Sequence, residues 1–168
     1  MQKEIRPVSY KRWEFMILKN QDNLRQSLTK GMNELFEKAE EININAKSFH
    51  IFYMRTGVYI GQPFFRLYLF DEQGYNGLYE CWTYWNTPEL MNYMELLVPM
   101  PVMCSWKDNR LPEIVIERKR KESAENLYLA MGNLITYIID PVMVRFPQIN
   151  HYVMCFGGYM DEPKLIRR

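Results

Sequence analysis

Three stretches of this chain do most to limit what it can fold into. Residues 48–55 (SFHIFYMR), 64–71 (FFRLYLFD) and 78–85 (LYECWTYW) are dense in aromatic, β-branched and other apolar residues. Such runs favour strands, because bulky side chains pack well on a pleated, half-buried surface. Turn-forming residues separate them: Thr56-Gly57 and Gly61-Gln62-Pro63 in the first gap, and GYNG at residues 74–77 in the second. A loop of that composition reads as a hairpin, so antiparallel pairing is the cheapest topology.

Helical segments flank the strands. Leu24, Leu28, Met32, Leu35, Ala39 and Ile42 recur at about 3.6 residues, the spacing of an amphipathic helix. Asn20 to Asp22 offers its cap. Gly31 interrupts the pattern, at about 1 kcal/mol against Ala. Before it, residues 11–19 (KRWEFMILK) alternate, with Trp13, Phe15 and Ile17 on one side, which predicts a strand. Trp13 and Ile17 also continue the helical spacing backwards, so one longer helix is the alternative. Asn86-Thr87-Pro88-Glu89 is a helix start with Pro in the first turn, and that helix is expected to run to about Leu97. Residues 98–111 read as irregular, with Trp106 folded back onto the core. Residues 113–118 (EIVIER) predict a strand with Ile114 and Ile116 on one face. Ser123 then caps a second helix, with Leu127, Met131, Leu134, Ile135, Ile138 and Ile139 on its apolar side and Pro141 at its end. A last strand is expected over residues 150–156 (NHYVMCF), closed by Gly157-Gly158, where a strand end or bulge is a better reading than a phosphate loop.

The expected class is therefore α+β. The order strand, helix, strands occurs twice, a pattern of weak internal duplication. The chain of 168 residues suits one domain with a sizeable core. It divides into a first unit at about 9–86, a connecting helix and loop at about 87–112, and a second unit at about 113–168.

Charge narrows the function classes. The formal net charge is +1, which gives no bulk electrostatic case for nucleic acid or an anionic membrane. The run ERKRKE at residues 117–122 reads as a solvated strand end or first helical turn. No apolar run is long enough to span a bilayer, and the first residues lack the apolar core of a signal peptide. Cys81, Cys104 and Cys155 are odd in number and irregularly spaced, which fits a reducing compartment better than a disulfide framework. A cytoplasmic location is the expectation.

Aromatic residues reach 15% of the chain, with 12 Tyr, 4 Trp and 12 Met besides. Tyr and Trp join an apolar body to a polar tip, and Met adapts to irregular partners. This composition suits either a Tyr/Met-rich core or an aromatic-lined pocket.

The second half, EIVIERKRKESAENLYLAMGNLITYIIDPVMVRFPQINHYVMCFGGYMDEP, resembles the second repeat of the GyrI-like, or bacterial effector-binding, domain. The resemblance lies in the expected strand ending near Arg118, the short polar link, the helix carrying Leu127, Leu134 and Ile138, the strand from His151, and the closing Asp161-Glu162-Pro163. The first half is similar more loosely, through KRWEFMILK, GMNELFEKAEEI and the paired strands. The resemblance implies antiparallel sheets in two pseudo-symmetric strand-helix-strand-strand units, with helices packed on the sheet and a groove between the units. It implies a groove that takes amphipathic, often cationic aromatic, compounds, as in MerR-type and AraC-type multidrug regulators of transcription. There are departures. The late strand offers Tyr152, Val153 and Met154 with no acid, and residues 78–103 look like an insertion. No helix-turn-helix accompanies the domain, so direct nucleic-acid binding is not expected of this chain.

Glu80 is the one acid inside a strongly apolar strand. Buried, it would need a partner such as a cationic ligand held over aromatic faces; alternation can equally place it in solvent. Tyr53, Tyr68, Tyr79, Trp82, Tyr84 and Tyr152 complete the expected ligand-binding set, with packing against helices as the alternative for each. His50 and His151 lack metal-site spacing with Cys81 or Cys155, and no cofactor is implied. A Cys-His nucleophile pair would require contacts that spacing does not show.

The favoured expectation is a small-molecule binding domain for sensing or sequestration, more in keeping with a binder than an enzyme. Two alternatives stay open. One is a hydrolase of small reactive compounds in the same groove, with Glu80 as its acid–base group. The other is a protein-binding inhibitor or immunity-type protein. A homodimer is compatible with each.

Overall fold

The computed structural model describes residues 7–55, 57, 64–77, 80–90, 92, 113–159 and 161–167. Its helices are α1 (Tyr10–Lys19), α2 (Gln21–Glu41) and α3 (Glu113–Met143). Its strands are β1 (Ser48–Tyr53), β2 (Phe65–Phe70), β3 (Cys81–Trp85), β4 (Val153–Gly158) and β5 (Lys164–Arg167). The strands form one mixed sheet in the order β3-β2-β1-β4-β5. Only β1 and β4 run parallel; the other neighbours are antiparallel. The α+β class holds, and the two halves share a single sheet.

The helices lie on one face of that sheet. Alternate residues Phe49 and Ile51 of β1, Phe65, Leu67 and Leu69 of β2, Cys81 and Trp85 of β3, and Met154 and Phe156 of β4 point to them. They meet Leu24, Leu28, Met32 and Leu35 of α2 and Leu127, Met131, Ile135 and Ile138 of α3 in one continuous core. The helical spacing seen in the sequence is thus the buried side of each helix. The Gly31 interruption has a packing reason. A Cβ there would lie 3.0 Å from the carbonyl oxygen of Tyr84 and 3.1 Å from a Leu67 methyl. Glycine lets α2 approach β3 this closely. The hairpin expected at residues 74–77 is present as a short 3₁₀ turn, Gly74–Asn76, with Gly74 at φ +57°.

Two expected strands are helices. Residues 11–19 form α1, capped by the Ser9 hydroxyl, which accepts from the Arg12 N–H. Trp13 and Ile17, four apart, are buried, whereas Phe15, their partner under strand alternation, is 63% exposed. α1 is followed by α2 after a break at Asn20, whose side-chain amide donates to the Met16 carbonyl. Residues 113–118 begin α3. The Ile-Val-Ile run suggested alternation, but the Glu, Arg, Lys and Ala residues that follow are strong helix formers, and Ile114 is 73% exposed. Ser123 is therefore inside the helix rather than at its cap. It is fully buried, donates to the Lys119 carbonyl, accepts from the Val8 N–H, and its own carbonyl accepts the indole N–H of Trp13. Pro141 also lies inside α3, which continues to Met143. The ERKRKE run falls on this helix. Residues 88–90 are helical as expected, while the rest of that helix, Trp106 and Cys104 lie outside the described residues. β5 has no counterpart among the sequence expectations. Among the described residues no helix is long and apolar enough to cross a membrane.

Candidate functional site

Strand parity gives the sheet a second apolar face, opposite the helices. Side chains of one parity in register point the same way. In one row across the sheet lie Trp82, Tyr68, His50 and Cys155; in the next lie Tyr84, Arg66, Phe52 and Gly157. Phe52, Met54, Tyr68 and Phe70 form a buried cluster here, with Phe64, Trp82 and Tyr159 packed against it.

One end of this face is closed by its own rings. Tyr159, just after β4, stacks on Tyr68 at 5.7 Å and meets Phe52 edge-on at 5.7 Å. Tyr75, from the β2–β3 turn, lies 4.9 Å from Phe70 and 6.1 Å from Phe52. His50 sits beneath them, edge-on to Phe70 at 5.0 Å. Burial lowers the pKa of His50 from 6.5 to about 4 and raises the Cys155 thiol. These cross-strand neighbours are therefore neutral imidazole and protonated thiol, not the ion pair of a cysteine nucleophile. Burial also raises Tyr68, and raises Tyr75 to about 12.

The other end is open and holds a cation. The Arg66 guanidinium lies 4.1 Å from the Trp82 ring centroid, 5.3 Å from Tyr84 and 5.5 Å from Phe64. Its terminal nitrogens donate to the Tyr68 and Tyr84 hydroxyls at 3.4 and 3.5 Å, the long limit of such bonds. Its Nε is buried without a hydrogen-bond partner. Burial alone would lower the Arg66 pKa, but the bonds to Tyr68 and Tyr84 hold it above its ordinary value. Lys38 of α2 lies 5.6 Å from the same Trp82 ring and donates to the Trp82 carbonyl at 3.1 Å. Trp82 and Phe64 are half-buried, and Tyr84 is 43% exposed.

No protein-family model, curated protein or solved structure matches the chain.

The structure brings together part of the expected ligand-binding set. Tyr68, Trp82 and Tyr84 share the open face, and Glu80 stands exposed just before β3, close enough to act on Tyr68 electrostatically. Tyr53 and Tyr152 do not join them. Both pack against the helix-side core, Tyr53 because its odd position in β1 turns it away from Phe52. Tyr79 lies outside the described residues. Arg66, Phe52, Phe70 and His50 were missed. Shared parity with Tyr68 within FFRLYLFD and SFHIFYMR is the signal that would have found them. Tyr75 and Tyr159 arrive from turns, where no periodicity exists to read.

Tyr53 instead lines a separate open cleft of about 270 Å³ with Tyr128, Leu129, Gly132, Phe156 and Asp161. Its ring stacks on Tyr128 at 4.1 Å. Beside it Arg55 bonds to Glu125 at 3.2 Å, to Asp161, and to the Tyr53 hydroxyl at 3.3 Å. The two nearest carboxylates thus already hold a cation from the chain itself. Among the described residues, no group of three or more His, Cys, Asp or Glu is placed to hold a metal ion.

Proposed function

We propose that this chain binds small, flat amphipathic molecules at the open end of its aromatic sheet face, for sensing or sequestration. The observation that supports it is the unequal cover of that face. Phe52 and Tyr68 are sealed by neighbouring rings, yet Trp82, Tyr84 and Phe64 of the same surface keep contact with solvent. A ring laid on Trp82 or on Tyr84, which stand edge-to-face 5.1 Å apart, would bury apolar area at about 25 cal/mol per Å², so covering about 150 Å² contributes about 4 kcal/mol. Offset stacking adds to that.

The resemblance to effector-binding domains supports the same use. The strand expected to open each of its units is helical here, so what the chain keeps of the pattern is the helix-strand-strand order of α2-β1-β2 and of α3-β4-β5, with the aromatic face as the proposed ligand surface. The hydrolase alternative gains no support from Glu80, whose side chain stands exposed to solvent rather than in a closed groove.

The test is a panel of planar dyes and drugs read by melting shift, with bound compound recovered and analysed. We expect stabilisation by a subset recovered unchanged, lost in Trp82→Ala and kept in Tyr53→Phe. A panel without any shift, or shifts indifferent to Trp82→Ala, would refute the proposal.

A further inference from the structure

The charge arrangement at the open end points to the kind of guest it takes. We propose that the ligand is a planar aromatic anion, carrying a carboxylate or phenolate beside its ring, and that Arg66 selects it. This rests on the binding proposal above.

Aromatic surfaces that hold cations leave the ring faces free for them. Here cations of the chain itself already stand against those rings. Arg66 lies over Trp82 at 4.1 Å and within 5.5 Å of Tyr84 and Phe64, and Lys38 lies 5.6 Å from the same indole. A cationic guest would share its rings with two fixed like charges. An anion meets the reverse. Arg66 has no carboxylate partner among the described residues, its Nε is buried and unpaired, and its terminal nitrogens make only two long bonds to neutral hydroxyls. A guanidinium offers a planar fork of donors that a carboxylate matches in geometry. With its ring on Tyr84 or Trp82, a flat guest places an acidic substituent beside that fork. Glu80 is the opposing charge on this face. It stands exposed in solvent, where its influence is screened, and lies a full row beyond Trp82 from Arg66. The rings supply affinity of little selectivity, and the arginine supplies the sign.

The test uses three matched probes on the full chain: 2-naphthoate, 2-naphthylmethanol and 2-naphthylmethylammonium, titrated by fluorescence. We expect the carboxylate to bind about tenfold or more tighter than the alcohol, and the ammonium weakest. Added salt should weaken the carboxylate alone. Arg66→Gln should erase the carboxylate's advantage over the alcohol. Should that variant not fold, the order of the three probes and the salt response of the unaltered protein still decide. Binding in which the ammonium is tightest, or the order survives Arg66→Gln, overturns the selection while leaving the aromatic surface standing. Failure of all three probes removes the surface and the selection together.

Discussion

Arg25 of α2 donates from its guanidinium to the backbone carbonyl of Tyr137 in α3 at 3.0 Å. That carbonyl is the one that the N–H four residues on would ordinarily serve, and the residue there is Pro141, which has none. The same guanidinium lies 5.0 Å from the Tyr137 ring centroid. One side chain thus compensates a helix defect and ties two helices together. Arg25→Met should cost about 1–2 kcal/mol in urea unfolding, as expected for losing a charged hydrogen bond. In a Pro141→Ala background the carbonyl regains its helical partner and the cost should drop by about half or more. An equal cost in both backgrounds would mean that Arg25 acts through its contacts with the Tyr137 ring and Asp22 rather than through that carbonyl.

The close approach of α2 to β3 gives a second expectation with a sign opposite to helix propensity. Ala is favoured over Gly inside a helix by about 1 kcal/mol. At Gly31 the added methyl would press on the Tyr84 carbonyl at 3.0 Å, backbone held in the sheet ladder. Overpacking of this kind costs about 1–3 kcal/mol. Gly31→Ala should therefore lower the urea midpoint with an unchanged slope. A rise in the midpoint would show that the sheet yields easily here.

Much of this architecture was legible in the chain. Residues 48–53, 65–70 and 81–85 fall within the three aromatic runs, and the α2 spacing from Leu24 to Ala39 marks its buried face. What failed did so where two periods fit one segment. Trp13, Phe15 and Ile17 satisfy alternation, and Trp13 and Ile17 satisfy helical spacing; the buried anchor Ser123 lies 110 residues away and decides between them. At the candidate site, Tyr68, Trp82 and Tyr84 share a face through antiparallel register. Tyr53 shares their aromatic character but has the opposite parity, which turns it to the helix side. The cation among the rings, Arg66, is one polar residue in an apolar run, and only its register neighbours Phe52 and Tyr84 place it between rings.

The two ends of the aromatic face should differ in what they do for stability. Phe52 is fully buried beneath Tyr75 and Tyr159, so Phe52→Ala removes a large core side chain at about 3–5 kcal/mol. Tyr84 is 43% exposed and offers its ring to solvent, so Tyr84→Ala should cost less than about 1 kcal/mol. Equilibrium unfolding of the two variants measures the contrast directly. Comparable losses at both positions would place Tyr84 in the fold's core energetics and weaken its assignment to a binding surface.

His50 makes the same face sensitive to acid. Its pKa is about 4 in the folded chain and 6.5 in the unfolded one, because burial among Phe52 and Phe70 penalises the imidazolium. Between those values the unfolded chain binds more protons, so stability rises with pH there. The contribution is complete above pH 6.5, shrinks as the pH falls, and is exhausted near pH 4. Allowing for the partial exposure of the ring, it amounts to on the order of 2 kcal/mol. His50→Gln cannot take up that proton, so the stability difference between the unaltered chain and the variant should shrink steadily as the pH is lowered across this window. Carboxylates that titrate in the same range are common to both proteins and cancel in the difference. A difference that stays constant from pH 6.5 down to about 4 would mean that His50 is protonated as readily in the folded chain as in water.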